Sequence, residues 1–245
     1  MDRYGALSDP LVLAVESATS RLAVALLRGE TLLLERSPQE PGHHAEQILP
    51  LVDTVLEEAG MRVADLDAFA VSIGPGSFTT LRVGLASVKG LAFGSGRPVI
   101  AVPTLEALAF GTLASGSSLP RVPLLDARRG EAYAAVFAVE GGELVPLVAD
   151  GLFSLPELAA VLPGRCLLAG EGAALFGEEL QALADVELPV SLDPVDLAPS
   201  AESVARRAVC RLRSGVVADA FLAPRYIRRA EAEVTRTKQA VEDAV

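Results

Sequence analysis

The chain has 245 residues, of which 51% are hydrophobic and 22% charged, so it is long enough for one large domain or two small ones. No run of about 18 uncharged apolar residues and no secretory signal pattern occur, so we expect no membrane span and no export. Residues 1–199 hold 26 acids and 12 bases, an acidic body that is a poor platform for nucleic acid, whereas residues 200–245 hold 6 acids and 9 bases.

The first 60 residues predict a three-stranded antiparallel meander followed by a helix. Short apolar segments separated by small polar turns indicate the strands. The segments are residues 11–16, 21–27 and 31–36. Apolar side chains then recur at helical spacing over residues 44–59, and Gly60 follows as a stop signal. Pro50 interrupts this pattern, so either the helix kinks there or it begins near Ile48.

A second helix, residues 78–93, follows a predicted strand at residues 68–73 and is apolar on nearly every side. Its only charges are Arg82 and Lys89, and it contains Gly84 and Gly90, each of which costs a helix about 1 kcal/mol relative to alanine. Such a helix must be covered nearly all round. It is either sandwiched within its own domain or covered on one side by a partner chain.

The second half of the chain repeats the plan of the first at an offset of about 110 residues, which indicates an internal duplication. Glu16 then corresponds to Asp126, each an acid that ends an apolar strand before a tight polar turn. Mixed sheets flanked by helices follow from this pattern. Residues 113–123 are a plausible joint between the halves. A second loop is predicted over residues 188–199, and a helix over residues 201–214.

The residues that most often bind metals or act as nucleophiles are few. Cys166 and Cys210 are far apart, and we expect two reduced thiols in a strand and a helix rather than a disulfide. The two histidines, His43 and His44, are adjacent and do not have metal-ligand spacing, so a histidine or cysteine metal site is not expected. We interpret both as surface residues rather than as members of a catalytic triad.

The stretch Gly74-Pro75-Gly76-Ser77 ends a strand and opens a helix, which is where backbone N–H groups can hold an anion. Pro75 has no N–H, and no lysine follows in a P-loop pattern. We therefore favour a tight strand-to-helix turn, with Ser77 as the helix N-cap, over a phosphate site.

Glu16 and Asp126 could face each other across a cleft, which is where two-lobed ATPases hold their nucleotide. The turns that follow these acids, SAT and ARRG, suit phosphate binding only in part.

Five segments occur in order: LAVESATSRLAVALL, HHAEQILPLVDTVLEEAG, VSIGPGSFTT with the residues after it, LLDARRGEAYAAVF and PRYIRR. Together they resemble the TsaB-type (YeaZ) family, the dimerisation subunits of the bacterial machinery that makes threonylcarbamoyladenosine (t6A) on tRNA. The resemblance covers about residues 11–230. The stretches GPGSFT and DARRGE are its most specific parts.

The resemblance implies an α/β fold of two ribonuclease-H-like lobes, as in actin, Hsp70 chaperones and sugar kinases. The lobes would be residues 1–110 and 111–230, with a tail at 231–245 that is a frayed helix or disordered. The family is a paralogue of the catalytic subunit, which carries a His-x-x-x-His metal motif. Here those positions are Thr104 and Leu108, so the resemblance implies no catalytic residue and no cofactor. Glu16 stands where the family usually has Asp.

The resemblance also implies a partner surface on the two helices of the first lobe. They would pair with the catalytic paralogue or, in its absence, with a second copy of the chain. The residues expected in this interface are Ile48, Val52, Val55, Leu81, Gly84, Leu85, Val88 and Leu91, and the possible remnant of an anion loop is Gly74, Gly76 and Ser77. The implied protein is cytoplasmic, works with an ATPase subunit and contacts tRNA only indirectly.

Two other functions stay open from the sequence. The chain could be an ATP-binding enzyme of the actin or sugar-kinase type, which would use Glu16 and Asp126. It could also be a metallopeptidase-like protein, which the non-coordinating side chains at Thr104 and Leu108 argue against.

Overall fold

The computed structural model describes residues 8–40, 42–188, 197–218 and 221–228. They form two five-stranded sheets with helices around them. The tail predicted at 231–245 and most of the loop predicted at 188–199 lie outside the described residues.

The first sheet contains the predicted meander. Its strands are Leu11–Glu16 (β1), Ala23–Arg28 (β2), Thr31–Arg36 (β3), Ala68–Ser72 (β4) and Val99–Val102 (β5). They lie in the order β3-β2-β1-β4-β5, with β1, β2 and β3 antiparallel and β1, β4 and β5 parallel. Every residue of β1 and β4 is buried, because helices cover both faces at the centre of the sheet.

The second sheet repeats this topology. Its strands are Arg121–Asp126 (β6), Glu131–Glu140 (β7), Glu143–Ser154 (β8), Cys166–Ala169 (β9) and Val186–Glu187 (β10). The order β10-β9-β6-β7-β8 matches the first sheet strand for strand, with the same parallel and antiparallel pairs. The predicted fold class, two ribonuclease-H-like lobes with mixed sheets, is therefore confirmed.

The described residues include six α-helices. They are His44–Glu58 (α1), Phe78–Ser95 (α2), Thr104–Gly111 (α3), Leu155–Val161 (α4), Glu171–Leu183 (α5) and Ala201–Arg213 (α6). Helix α1 begins at His44 and continues through Pro50, which settles the alternative that the sequence left open. Within the described ranges, no helix is both long enough and apolar enough to cross a membrane.

The last helix of each half packs on the sheet of the other half. In α3, Leu105 and Leu108 share a core cluster with Leu125 of β6. In α6, Val204 and Ala208 share a cluster with the inner residues of the first sheet. A boundary at residue 110 falls inside α3. If the chain is divided there, α3 and α6 are each assigned to a different lobe from the sheet on which they pack.

An ion-pair cluster joins α3 and α6, which we call the exchanged helices because each packs on the sheet of the other half. Glu106 of α3 accepts hydrogen bonds from Arg207 at 2.6 Å and from Arg211 at 2.6 Å, both on α6. The Glu106 and Arg207 side chains are each 13% exposed, so these charges are largely out of water. Arg207 also pairs with exposed Glu143 of β8 at 3.3 Å. The cluster thus connects α6, which covers the first sheet, to elements of the second lobe.

We expect Glu106→Ala to lower the free energy of unfolding by about 3 kcal/mol, because it leaves two largely buried guanidinium groups without their shared carboxylate. Glu143→Ala removes a 65% exposed partner of the same arginine and should cost less than about 0.5 kcal/mol. Urea unfolding of both variants measures the difference. Equal effects would show that the Glu106 pairs do not hold the exchanged helices together.

Candidate functional site

The first candidate site is a cleft between the two lobes, with a volume of about 410 Å³. The turn after β1, the turn after β6 and the Gly74–Ser77 stretch all reach it. Its lining includes Thr19, Ser77, Asp126, Arg128 and Glu171, together with residues 225–228. The duplication therefore brings equivalent turns of the two halves together.

Asp126 lies in this cleft beside Glu171, the first residue of α5. Its carboxylate accepts a hydrogen bond from the Arg128 N–H at 2.7 Å and pairs with the Arg128 guanidinium at 3.1 Å. Burial raises the pKa of Glu171, and the neighbouring Asp126 charge adds to this, while a hydrogen bond from the Asp126 backbone N–H opposes it. The cleft thus holds two neighbouring acids, Asp126 and Glu171, of which Asp126 forms an ion pair with Arg128.

Glu16 does not face Asp126 across the cleft, so that expectation was wrong. Its side chain is fully buried and turns back onto its own hairpin, where one carboxylate oxygen accepts the Ala18 N–H at 2.6 Å. The other oxygen has no hydrogen-bond partner. Burial is the largest cause that raises the pKa of Glu16 to about 7.

Two backbone N–H groups of the Gly74–Ser77 stretch have partners inside the chain. Gly74 donates to the Thr104 hydroxyl at 3.1 Å, and Ser77 donates to the Ala18 carbonyl at 2.7 Å. A Cβ at Gly76 would overlap that same carbonyl, so only glycine fits there. Ser77 is the N-cap residue of α2 by position, but its hydroxyl makes no capping hydrogen bond. These contacts support the turn interpretation over an anion site.

Thr104 and Leu108, which the sequence resemblance places at the metal-ligand positions of the catalytic paralogue, lie one turn apart on α3. Thr104 is fully buried, and its hydroxyl accepts a hydrogen bond from the Gly74 N–H. Leu108 packs in the apolar cluster between α3 and the second sheet. Thr104 therefore ties the start of α3 to the Gly74 turn, and Leu108 ties α3 to the second lobe.

His44 is buried, with 6% of its surface exposed, so its predicted surface location was wrong. It lies against the first hairpin, and burial lowers its pKa, although hydrogen bonds to the Arg21 and Thr19 carbonyls oppose that shift. His43 is exposed and precedes α1 in a left-handed conformation with φ 53°. Helix α1 begins in contact with the β1–β2 hairpin. The spacing of residues in the sequence does not show this contact.

The second candidate site is an apolar groove between α1, α2 and the segment before β4, of about 930 Å³, which we call the α2 groove. Its lining residues are Leu49, Val63, Ala64, Ala86, Ser87, Gly90, Leu91, Gly94, Ser95 and Arg97. Phe93 precedes Gly94 of this lining in α2 and is 92% exposed, and Leu49 in the lining is 48% exposed. Exposed apolar side chains and an apolar groove on the same helices make this face a candidate interaction site.

The structure buries most of the residues predicted to form the partner interface. Seven of the eight lie in the core of the first lobe, where they pack on the sheet and on each other. They are Ile48, Val52, Val55, Leu81, Gly84, Leu85 and Val88. Only Leu91 lines the α2 groove. The choice of these seven as contact residues was wrong, because the apolar stripe of an amphipathic helix first covers its own sheet.

The two glycines of α2 have different roles. A Cβ at Gly84 would overlap the Ser17 side chain, so this glycine lets α2 approach the end of β1 within the chain. A Cβ at Gly90 or Gly94 would meet nothing within 4 Å. The sequence signal that was missed is the four-residue spacing of Ala86, Gly90 and Gly94 on the outer face of α2.

Comparison with known proteins gives consistent matches. A family model described as "TsaD: tRNA N6-adenosine threonylcarbamoyltransferase" matches residues 39–235. The tRNA threonylcarbamoyladenosine biosynthesis protein TsaB of Escherichia coli (strain K12) is 37% identical over 128 residues, and that of Bacillus subtilis (strain 168) is 33% identical over 141. The structure of YeaZ from Pseudomonas aeruginosa superposes with a TM-score of 0.76 at 29% identity, covering 89% of this chain and 99% of that one.

The two sequence alignments cover only part of each protein. They include 51% and 57% of this chain. They span 54% and 60% of the length of the E. coli and B. subtilis relatives. The structural superposition extends the similarity over both lobes.

We predict that Glu16 makes the stability of the protein fall as the pH rises. A carboxyl whose pKa is higher in the folded state stabilises the fold below its unfolded pKa, and this stabilisation is lost as the pH rises through about 7. The free energy of unfolding of the natural protein, relative to Glu16→Gln, should therefore fall by about 3 kcal/mol between pH 4.5 and pH 8.

Urea unfolding at several pH values measures this difference, and Glu57→Gln, at an exposed position on α1, controls for the loss of one acid. A Glu16→Gln difference that stays constant with pH would contradict the account of this buried carboxyl.

Proposed function

The chain belongs to the TsaB-type proteins of the TsaD family, and from that premise we propose that it is a non-catalytic partner subunit for t6A synthesis. In this role it binds a catalytic paralogue and makes it active in transferring the threonylcarbamoyl group to the adenosine next to the anticodon of tRNA. The chain itself performs no chemical step.

The α2 groove is the observation that carries this proposal. Its lining contains many small residues, so the backbone of another helix can approach closely, and the exposed Leu49 in the lining and the exposed Phe93 of α2 are available as apolar anchors. Neither α2 cation faces the groove: Arg82 contacts Tyr226, and Lys89 donates to the Leu222 carbonyl. A concave surface that is lined by apolar and small residues and by one cation, Arg97, fits a protein partner better than it fits tRNA.

Two further observations support a role without chemistry. Thr104 and Leu108 offer no imidazole where the catalytic paralogue holds its metal, and both are committed to internal contacts. The N–H groups of Gly74 and Ser77 are likewise committed, so two of the donors with which this turn could hold the phosphates of a nucleotide bind the chain's own atoms. The partner role therefore has more support than an ATP-binding enzyme or a metallopeptidase.

The rest of the proposed assembly follows from the same surface. The α2 groove binds the catalytic paralogue. When the paralogue is absent, the groove binds a second copy of the chain. The ATPase subunit of the complex joins this pair, and the acidic body of the chain leaves tRNA binding mainly to the other subunits. We place the assembly in the cytoplasm, where its tRNA substrate is.

We predict that Gly90→Arg abolishes the complex with the catalytic paralogue while the chain stays folded. The new side chain starts in open space and replaces a glycine in a helix, so the fold should be unchanged or stabilised by up to about 1 kcal/mol. In the groove it places a charge where a partner helix must approach, so affinity should fall by about 100-fold or more.

Calorimetric titration with the purified catalytic subunit measures the affinity, and circular dichroism confirms the fold. Leu175→Arg, at a 57% exposed leucine of α5 in the second lobe, is the matched control and should bind normally. A Gly90→Arg chain that binds as tightly as the natural one would remove the α2 groove from the interface.

A further inference from the structure

Residues 221–228, which we call the strap, cross from α2 to the second lobe along the cleft. Four of them, Arg225 to Arg228, line the cleft itself. Before the strap, the Ala218 N–H donates to the Val99 carbonyl at the end of the first sheet, at 2.8 Å. The strap therefore leaves the first lobe and runs across the gap between the two lobes.

Two residues of the strap, Leu222 and Tyr226, anchor it on the first lobe. Tyr226 stacks on Phe78 with ring centres 4.8 Å apart, and its hydroxyl accepts a hydrogen bond from Arg82 at 2.6 Å. The Arg82 guanidinium also lies 3.7 Å from the centre of the Phe78 ring, so the three side chains form one stacked group. Lys89 donates to the Leu222 carbonyl at 3.0 Å, and Leu222 packs against the core of the first lobe.

Arg225 contacts both lobes at once. Its backbone N–H donates to the Ile73 carbonyl at 2.6 Å, directly before the Gly74–Ser77 turn. Its guanidinium pairs with Asp150 of β8 at 2.6 Å, and the Asp150 side chain is only 12% exposed. A Cβ at Gly74 would run into the Arg225 carbonyl, so the strap lies against the turn with no room for a side chain between them.

Arg228 completes the connection to the second lobe. It donates to the Ala127 carbonyl at 2.7 Å and pairs with Glu131, so it holds both sides of the hairpin that joins β6 and β7. Three of the arginines that line the cleft thus have a carboxylate partner in the second lobe. The pairs are Arg128 with Asp126, Arg225 with Asp150, and Arg228 with Glu131.

We propose that the strap is a clasp that holds the two lobes closed over the cleft. Its aromatic anchor is on the first lobe and its ionic anchor is on the second. Freeing either anchor lets the second hairpin move away from the Gly74–Ser77 turn and loosens the start of α2. The clasp acts within one chain, so it stands whether or not the α2 groove binds the partner proposed above.

Hydrogen exchange of the full chain tests the clasp, in the natural protein and in Tyr226→Ala, Arg225→Gln and Arg228→Gln. We expect exchange in residues 73–78 and 127–131 to become about tenfold faster in each variant, because a hydrogen bond to a charged or well-oriented group is lost at one anchor. Arg165→Gln removes an exposed ion pair with Glu187 inside the second lobe and is the matched control. It should leave both segments unchanged.

One result would overturn the clasp: unchanged exchange in both segments while residues 221–228 themselves exchange faster. The strap would then be free and the lobes would hold without it. Arg225→Gln and Arg228→Gln leave the Phe78–Arg82–Tyr226 group intact, so they test the ionic anchor even if Tyr226→Ala does not fold. Faster exchange in 127–131 as salt rises, with residues 73–78 less affected, would further support an ionic anchor on the second lobe.

Discussion

The carboxylate of Glu106 links the two lobes through helices α3 and α6. From α3 it accepts hydrogen bonds from Arg207 and Arg211 of α6. These two helices are exchanged, because each belongs to one half of the chain and packs on the sheet of the other half. This exchange sets how the two lobes face each other. The cleft lies between the lobes that these helices join.

Most of the fold could be predicted from the sequence, because its signals are local. Apolar runs and turn residues gave both meanders, and the repeat at an offset of about 110 residues gave the second lobe. The exchange of α3 and α6 could not be predicted, since it depends on which sheet face each helix reaches and not on its own pattern. The burial of His44 and the inward turn of Glu16 likewise depend on how close α1 and the first hairpin lie.

The partner surface on α1 and α2 stays a prediction, and of the residues named for it only Leu91 lines the α2 groove. Helical periodicity identifies the side chains of α1 and α2 that are buried, and in this lobe they cover the sheet, as Ile48 and Leu85 do. The outer face carries glycine, alanine and serine, which have no apolar signature. Gly84 illustrates the difficulty, because it resembles Gly90 in the sequence and yet serves a contact inside the chain. The two roles are distinguished only by the atoms that surround each glycine in the folded chain.

A reconstitution that omits one component shows whether the chain acts through a partner. The catalytic subunit, the ATPase subunit, threonylcarbamoyl-adenylate and tRNA are mixed with and without this chain, and modified adenosine is counted. We expect product only when the chain is present, and none from the chain alone. Equal product without the chain, or product made by the chain on its own, would show that it is not the partner subunit.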